Sequence, residues 1–242
     1  MKKVAIFTEG QTELIFVREL LLRLIDPSKM RLECMELLAD RMTPVPYPHI
    51  CPNPELYFLI VNVRGDEAVI SNIREQEKSL VEKSGYEKIL GLRDLYCDDY
   101  RRLSPSGINV SVSGQLIQSR NSIIQNMNYP NRIKLHFAIM EIEAWFLAMY
   151  NIFQKIDSGL TNDIIQEKLG IDLKNIDPQI AFFRPSEQVN DIFVLCGRKY
   201  SKRRGDCELI CNRMDVEDFD NARENGRCKN FDAFYQEIRE YG

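Results

Sequence analysis

Val4-Ala5-Ile6-Phe7-Thr8-Glu9-Gly10-Gln11-Thr12-Glu13 decides the fold class. The first five of these residues are a short apolar run behind Lys2 and Lys3. Glu9, Gly10 and Gln11 break the run. Thr12 then reads as the cap of a helix whose apolar face is Leu14, Phe16, Val17, Leu20, Leu21 and Leu24, at helical spacing. Pro27 stops that helix. A buried strand that turns at once into an amphipathic helix is the first half of a parallel βα unit.

Outward from this stretch the alternation continues. Residues 31–39 read as a strand, and residues 43–54, with five prolines, as a loop. Residues 56–63 are a continuous apolar run, as expected of a strand buried on both faces. Gly65 and Asp66 open a helix that runs to about residue 84. A strand over 88–96, a polar loop over 97–107, a helix over 113–128 and a strand over 133–140 follow. Residues 141–155 begin as a strand end and become a helix. Strands separated by helices predict an α/β fold with a mostly parallel sheet flanked by helices. The strands at 31–39 and 56–63 have no helix between them, so an antiparallel insertion is expected there. Beyond residue 156 only helices are expected, over 160–169, 186–197, 201–214 and 230–240. The last of these carries Phe231, Phe234, Tyr235 and Ile238 on one face and should dock on the core. The expected organisation is an α/β domain over 1–156 with an α-helical extension over 157–242 packed on it.

Of the 242 residues, 44% are hydrophobic and 28% charged, which excludes a disordered or collagen-like chain. The net charge of -4 carries no global basic excess, so any nucleic-acid surface must be local. No apolar run approaches the ~20 residues that span a bilayer. The opening apolar run is too short for a signal-peptide core, so the protein reads as cytoplasmic, with no membrane partner. Seven cysteines and two histidines offer no Cys-x-x-Cys pair, and the cysteines read as reduced apolar residues.

The acids fall at strand ends. Glu9 ends the first strand, and Glu13 sits one helical turn later. Asp94 lies near the end of the strand over 88–96, with Asp98 and Asp99 just beyond. Glu141 ends the strand over 133–140, and Glu143 opens the next helix. In parallel sheets ligands bind at the carboxyl edge. Acids gathered there repel one another unless a cation sits between them, and Mg²⁺ or Mn²⁺ suits such oxygen ligands. The alternative is ordinary: Glu13 and Glu143 as helix-dipole partners, Asp98 and Asp99 as solvated loop charges.

A second candidate is Arg198-Lys199-Tyr200-Ser201-Lys202-Arg203-Arg204, five cations in seven residues. It reads as a phosphate-backbone contact with Tyr200 placed to stack on a base, or equally as a solvated run. His136, inside a strand, reads as a satisfied histidine rather than a base. No nucleotide-binding loop or nucleophile elbow is present.

The Val4–Glu13 stretch resembles the first motif of the TOPRIM fold, in the Glu-Gly-x-x-Glu form of the overcoming-lysogenization-defect (OLD) nucleases. Leu92-Arg93-Asp94-Leu95-Tyr96 and Met140-Glu141-Ile142-Glu143-Ala144-Trp145-Phe146-Leu147-Ala148 resemble segments of TOPRIM-like proteins of domain of unknown function family 4276. The resemblance covers roughly residues 3–155. It implies a Mg²⁺- or Mn²⁺-dependent phosphoryl-transfer centre. Glu9 and Glu13 match motif one, and Asp94 matches the first Asp of the family's Asp-x-Asp. Tyr96 stands where the second Asp belongs, with Asp98 as a substitute from the loop. On this reading Glu9, Asp94 and Glu141 hold one ion, and Glu13 or Glu143 orients a water or holds a second. The implied activity is a metal-dependent nuclease acting on DNA or RNA, in bacterial defence against phage. Two other readings stand beside it. One is a catalytically degenerate module that binds a separate partner ATPase or nucleic acid. The other is a metal-dependent phosphatase or nucleotide hydrolase.

Overall fold

The computed structural model describes residues 1–39, 41–65 and 67–242; Asp66, read above as opening a helix, lies outside the described residues. The chain is α/β, built on one six-stranded, mostly parallel sheet. Its strands are β1 (Lys2–Thr8), β2 (Met30–Leu38), β3 (Arg41–Pro44), β4 (Leu56–Asn62), β5 (Lys88–Asp94) and β6 (Ile133–Ala138), in the order β3-β2-β4-β1-β5-β6. β1 lies at the centre, parallel to β4 on one side and β5 on the other. Phe58, Leu59, Ile60 and Val61 of β4 are all buried, so both faces of this strand are covered.

The strand pair read as an antiparallel insertion is corrected. β2 runs parallel to β4 over Met30–Glu36, and the short β3 is antiparallel to β2. The proline-rich stretch after β3 makes the return crossover without a helix. It is pinned by reciprocal backbone bonds of 2.9 Å between His49 and Leu32.

The chain forms two compact units that interleave along the sequence. The first comprises Met1–Arg93, Gly114–Phe137 and Glu237–Gly242 and contains most of the sheet. Its helix α1 (Gln11–Leu24) starts two residues earlier than a cap at Thr12 would place it, with Gly10 in the cap position. α2 (Ala68–Lys78) runs on into a single π-helical turn, Ser79–Lys83. Gly91 of β5 lets α2 and β6 come close: a Cβ there would lie 2.5 Å from Leu135 and about 3 Å from Ile73 and Val69.

The second unit comprises Asp94–Ser113 and Ala138–Gln236. Its helices are α3 (Asp98–Leu103), α5 (Glu143–Ala148), α6 (Ile152–Ile156), α7 (Asn162–Leu169), α8 (Pro178–Ala181), α9 (Pro185–Leu195), α10 (Arg204–Cys211) and α11 (Val216–Arg223). Of the remaining two, α4 (Val110–Gln125) falls mostly in the first unit and α12 (Lys229–Arg239) mostly in the second. Trp145 of α5 is fully buried, with ring centroids 5.3 Å from Phe231 and 5.9 Å from Phe234 of α12. That is the docking expected of the last helix. All seven cysteines are free. No described helix is long and apolar enough to cross a membrane.

Candidate functional site

Three of the strand-end acids meet within the second unit. β5 ends at Asp94, and the backbone N–H groups of Leu95 and Tyr96 donate to the carbonyls of Ala138 and Met140, both at 2.9 Å. This lays residues 94–96 along 138–140. Asp94 then reaches the start of α5, where its Oδ1 accepts the Ile142 N–H at 2.9 Å. Met140, just before Glu141, has φ +62°, a left-handed conformation that a residue with a Cβ adopts at a cost of about 1–2 kcal/mol.

Glu141 and Glu143 are held differently. Oε2 of Glu141 accepts the Ser186 N–H at 2.8 Å, at the start of α9. A carboxylate suits that place, because the first N–H groups of a helix have no internal partner and the dipole is positive there. Glu143 is fully buried, and its Oε1 accepts the Tyr200 hydroxyl at 2.7 Å. The two remaining oxygens converge on one cation. Lys202 Nζ lies 2.9 Å from Glu141 Oε1 and 3.1 Å from Glu143 Oε2.

The segment that delivers Lys202 is fastened upstream. The Tyr200 N–H donates to Asn190 Oδ1 at 3.1 Å, and Ser201 donates twice to Asp206, from its N–H at 2.9 Å and its hydroxyl at 3.0 Å. Lys202 itself has φ +57°. A cleft of about 450 Å³ opens beside it, lined by Ser186, Asn190, Asp191, Tyr200, Ser201 and Lys202 among others.

The electrostatics follow from burial and charge. Burial pushes the Glu143 carboxyl up from its ordinary value; Lys202 opposes this, Glu141 adds to it, and the Tyr200 hydroxyl opposes it. Burial pulls the Lys202 ammonium down, but Glu143, Asp94 and Glu141 outweigh it and hold the group well above the ordinary lysine value. Burial, and next the neighbouring Glu143, push the Tyr200 phenol far up, so it stays a hydrogen-bond donor.

Asp94, Glu141, Glu143, Tyr200 and Lys202 are thus brought together. Tyr200 and Lys202 were expected to contact nucleic acid; the structure buries Tyr200 and pairs the partly exposed Lys202 with carboxylates. The Tyr200 ring is 6% exposed and packs against Phe193, so it offers no face to a base, and the Lys202 head is committed to carboxylates. Arg198, Lys199, Arg203 and Arg204 remain on the surface, with Arg204 Nε 3.1 Å from Glu208. Asp98 is exposed and paired with Arg101 one turn on. Tyr96 packs edge-on against Phe183 at 5.3 Å, a structural contact where the resemblance calls for an acid.

Glu9 and Glu13 belong to the first unit. Glu9 follows β1 at the edge where β1, β4 and β5 end in register, Thr8 opposite both Asn62 and Leu92. Glu13 is buried and folds back over Gly10, where a Cβ would lie 2.8 Å from its Oε2.

No protein-family model, curated protein or solved structure matches this chain. The geometry therefore has to speak for the site. Among the described residues, no three histidine, cysteine, aspartate or glutamate side chains form a ready cage for a metal ion. Carboxylates are the ligand type that Mg²⁺ and Mn²⁺ prefer, but here the acids are paired within the protein. Glu143 Oε1 accepts the Tyr200 hydroxyl and Glu143 Oε2 faces the Lys202 ammonium at 3.1 Å. An ammonium bridges Glu141 and Glu143 instead.

One residue of this cluster, Ser186, escaped the sequence reading. Ser186 acts through its backbone, and its only signal is Pro185, which marks a helix start. The pairing of Lys202 with acids has no local signal, because its neighbours are also cationic.

Proposed function

We propose that this chain is a divalent-metal-dependent nuclease that hydrolyses phosphodiester bonds in DNA or RNA. The observation that supports it is the convergence of Glu141 and Glu143 on one cation, with Asp94 held at the start of the same helix. A bound Mg²⁺ or Mn²⁺ polarises a scissile phosphate and lowers the pKa of an attached water. This chain's own residues orient the ligands. The Ile142 N–H fixes Asp94, the Ser186 N–H fixes Glu141, and the Tyr200 hydroxyl fixes Glu143. The TOPRIM resemblance implies that Glu9 and Glu13 of the first unit are motif-one acids, and it suggests a cytoplasmic phage-defence effector, with any ATPase on a separate chain. Exposed Arg198, Lys199, Arg203 and Arg204 are the proposed contacts to the nucleic-acid backbone.

A second reading is favoured by a specific observation. Lys202 already bridges Glu141 and Glu143, and Tyr96 replaces an acid, as in a degenerate module that binds nucleic acid or a partner ATPase. The deciding experiment incubates the protein with plasmid, single-stranded DNA and total tRNA, with Mg²⁺ or Mn²⁺. EDTA and the E141Q/E143Q variant serve as controls. Metal-dependent cleavage lost in the variant is expected. Metal binding without cleavage of any polymer points to a phosphatase or nucleotide hydrolase, which nucleoside triphosphate and phosphomonoester substrates then test. Neither binding nor cleavage favours the degenerate module.

A further inference from the structure

We propose that the first unit binds a nucleoside monophosphate in a cleft at the amino ends of its strands, independently of the metal-dependent reading above. The crossover without a helix makes the room. On β2, Met30, Leu32 and Cys34 are buried, whereas the alternate residues Arg31, Glu33, Met35 and Leu37 are half-buried or exposed. A parallel strand ordinarily has helices over both faces. Here one face of β2 and of the start of β4 is left open. A cleft of about 730 Å³ has this face as one wall, and α2 with its π-helical turn as the other. That volume suits a small organic ligand.

The two walls carry different chemistry. Lys3, Tyr57 and Arg31 stand side by side on β1, β4 and β2, in register and so on one face. The Glu33 carboxylate accepts from Arg31 at 2.7 Å and from the Tyr57 hydroxyl at 2.8 Å, which fixes both side chains. Arg31 is still 47% exposed, so the rest of its guanidinium fork is open to a phosphate. Lys3 adds a second positive charge: its Nζ donates to the Ser84 carbonyl at 2.9 Å and lies 5.8 Å from the centre of the Tyr86 ring. Two cations match the charge of a phosphate monoester. The Tyr57 and Tyr86 rings meet edge-on at 6.2 Å, and with Leu59 and Leu80 they form a rigid apolar surface for a flat base. The helical wall presents Glu75, Gln76 and Ser79, which can accept from and donate to a base edge. The π-helical turn brings Ser79 and Leu80 to the cleft, and such turns are frequent at functional sites.

Two measurements on the full chain test it, both in EDTA so that no metal contributes. In calorimetric titration, AMP should bind saturably. Adenosine, which lacks the phosphate, and inorganic phosphate, which lacks the base, should each bind about tenfold or more weaker. R31M should lose AMP affinity by about the same factor. Ultraviolet crosslinking of 8-azido-AMP to the wild type, read by mass spectrometry, should label residues within 57–59 or 75–86. The crosslink needs no variant, so it decides the matter even where R31M fails to fold. No binding at millimolar AMP, adenosine or phosphate as tight as AMP, R31M as tight as the wild type, or a crosslink confined to other segments overturns the proposal. Each of these results leaves the metal-dependent reading untouched.

Discussion

The Tyr200 hydroxyl donates a 2.7 Å hydrogen bond to Glu143 Oε1, and both side chains are shut away from solvent. A hydrogen bond to a buried carboxylate is worth more than one at the surface, because losing it leaves the acceptor desolvated. Y200F should destabilise the chain by about 1.5–3 kcal/mol. At this chain length that lowers the melting temperature by about 2–4 °C for each kcal/mol. Thermal and urea unfolding of Y200F beside the wild type checks this; a shift below 1 °C would show that Glu143 has found another donor.

Glu9 takes part in the sheet through its backbone. Its N–H donates to Leu92 at 3.2 Å, and its carbonyl accepts from Gly65 at 2.9 Å. Truncating the side chain leaves both bonds in place. E9A should therefore abolish metal-dependent cleavage while its melting temperature stays within about 3 °C of the wild type. A variant that melts far lower would make Glu9 structural.

The sheet was legible because strands and helices differ in period. The central strands β1 and β4 are unbroken apolar runs of a kind that only a two-sided burial explains. The parallel partner of β4 was not legible, since a crossover without a helix leaves no periodic signal. The helices α3, α6, α8 and α11 are short or polar, and tertiary packing rather than pattern sustains them. At the site, Asp94, Glu141 and Glu143 were legible from their positions at strand ends. The pairing of Tyr200 and Lys202 with Glu141 and Glu143 was not legible, because a cationic run looks the same from the sequence whether its members face water or an acid.

Gly91 is a spacing residue. A Cβ on it would meet Leu135 at 2.5 Å, with Ile73 and Val69 about 3 Å away, all three buried or partly so in packed surroundings. G91A should cost about 1–3 kcal/mol through overpacking, with no direct effect on Lys202 or its acids. Differential scanning calorimetry measures the loss, and a neutral or stabilising result would refute the close packing of α2 on β5.

Phe231 anchors α12 against Trp145 of α5. F231A removes a fully buried ring and should cost about 3–5 kcal/mol. Near-ultraviolet circular dichroism should lose the signal of the buried Trp145, and urea unfolding gives the magnitude. Retention of both would show that α12 docks without this contact.

His136 is a buried neutral histidine. Burial lowers its pKa from 6.5 to about 4; Lys134 and Lys88 push the same way, against Glu237. The sign is then fixed. Below pH 6.5 the unfolded chain takes up a proton that the folded chain refuses until about pH 4. Stability should fall by on the order of 2–3 kcal/mol as pH drops across that window, and this component is absent above it. H136Q should show a shallower slope between pH 6.5 and 4.5 in urea unfolding. Equal slopes in the two proteins would place the proton uptake elsewhere.

The most direct test of the metal-dependent account is equilibrium Mn²⁺ binding, followed by electron paramagnetic resonance of the free ion. The wild type should take up Mn²⁺ saturably, and the E141Q/E143Q variant should not, while both remain folded by circular dichroism. No uptake by the wild type, or equal uptake by the variant, would contradict a cation site at Asp94, Glu141 and Glu143.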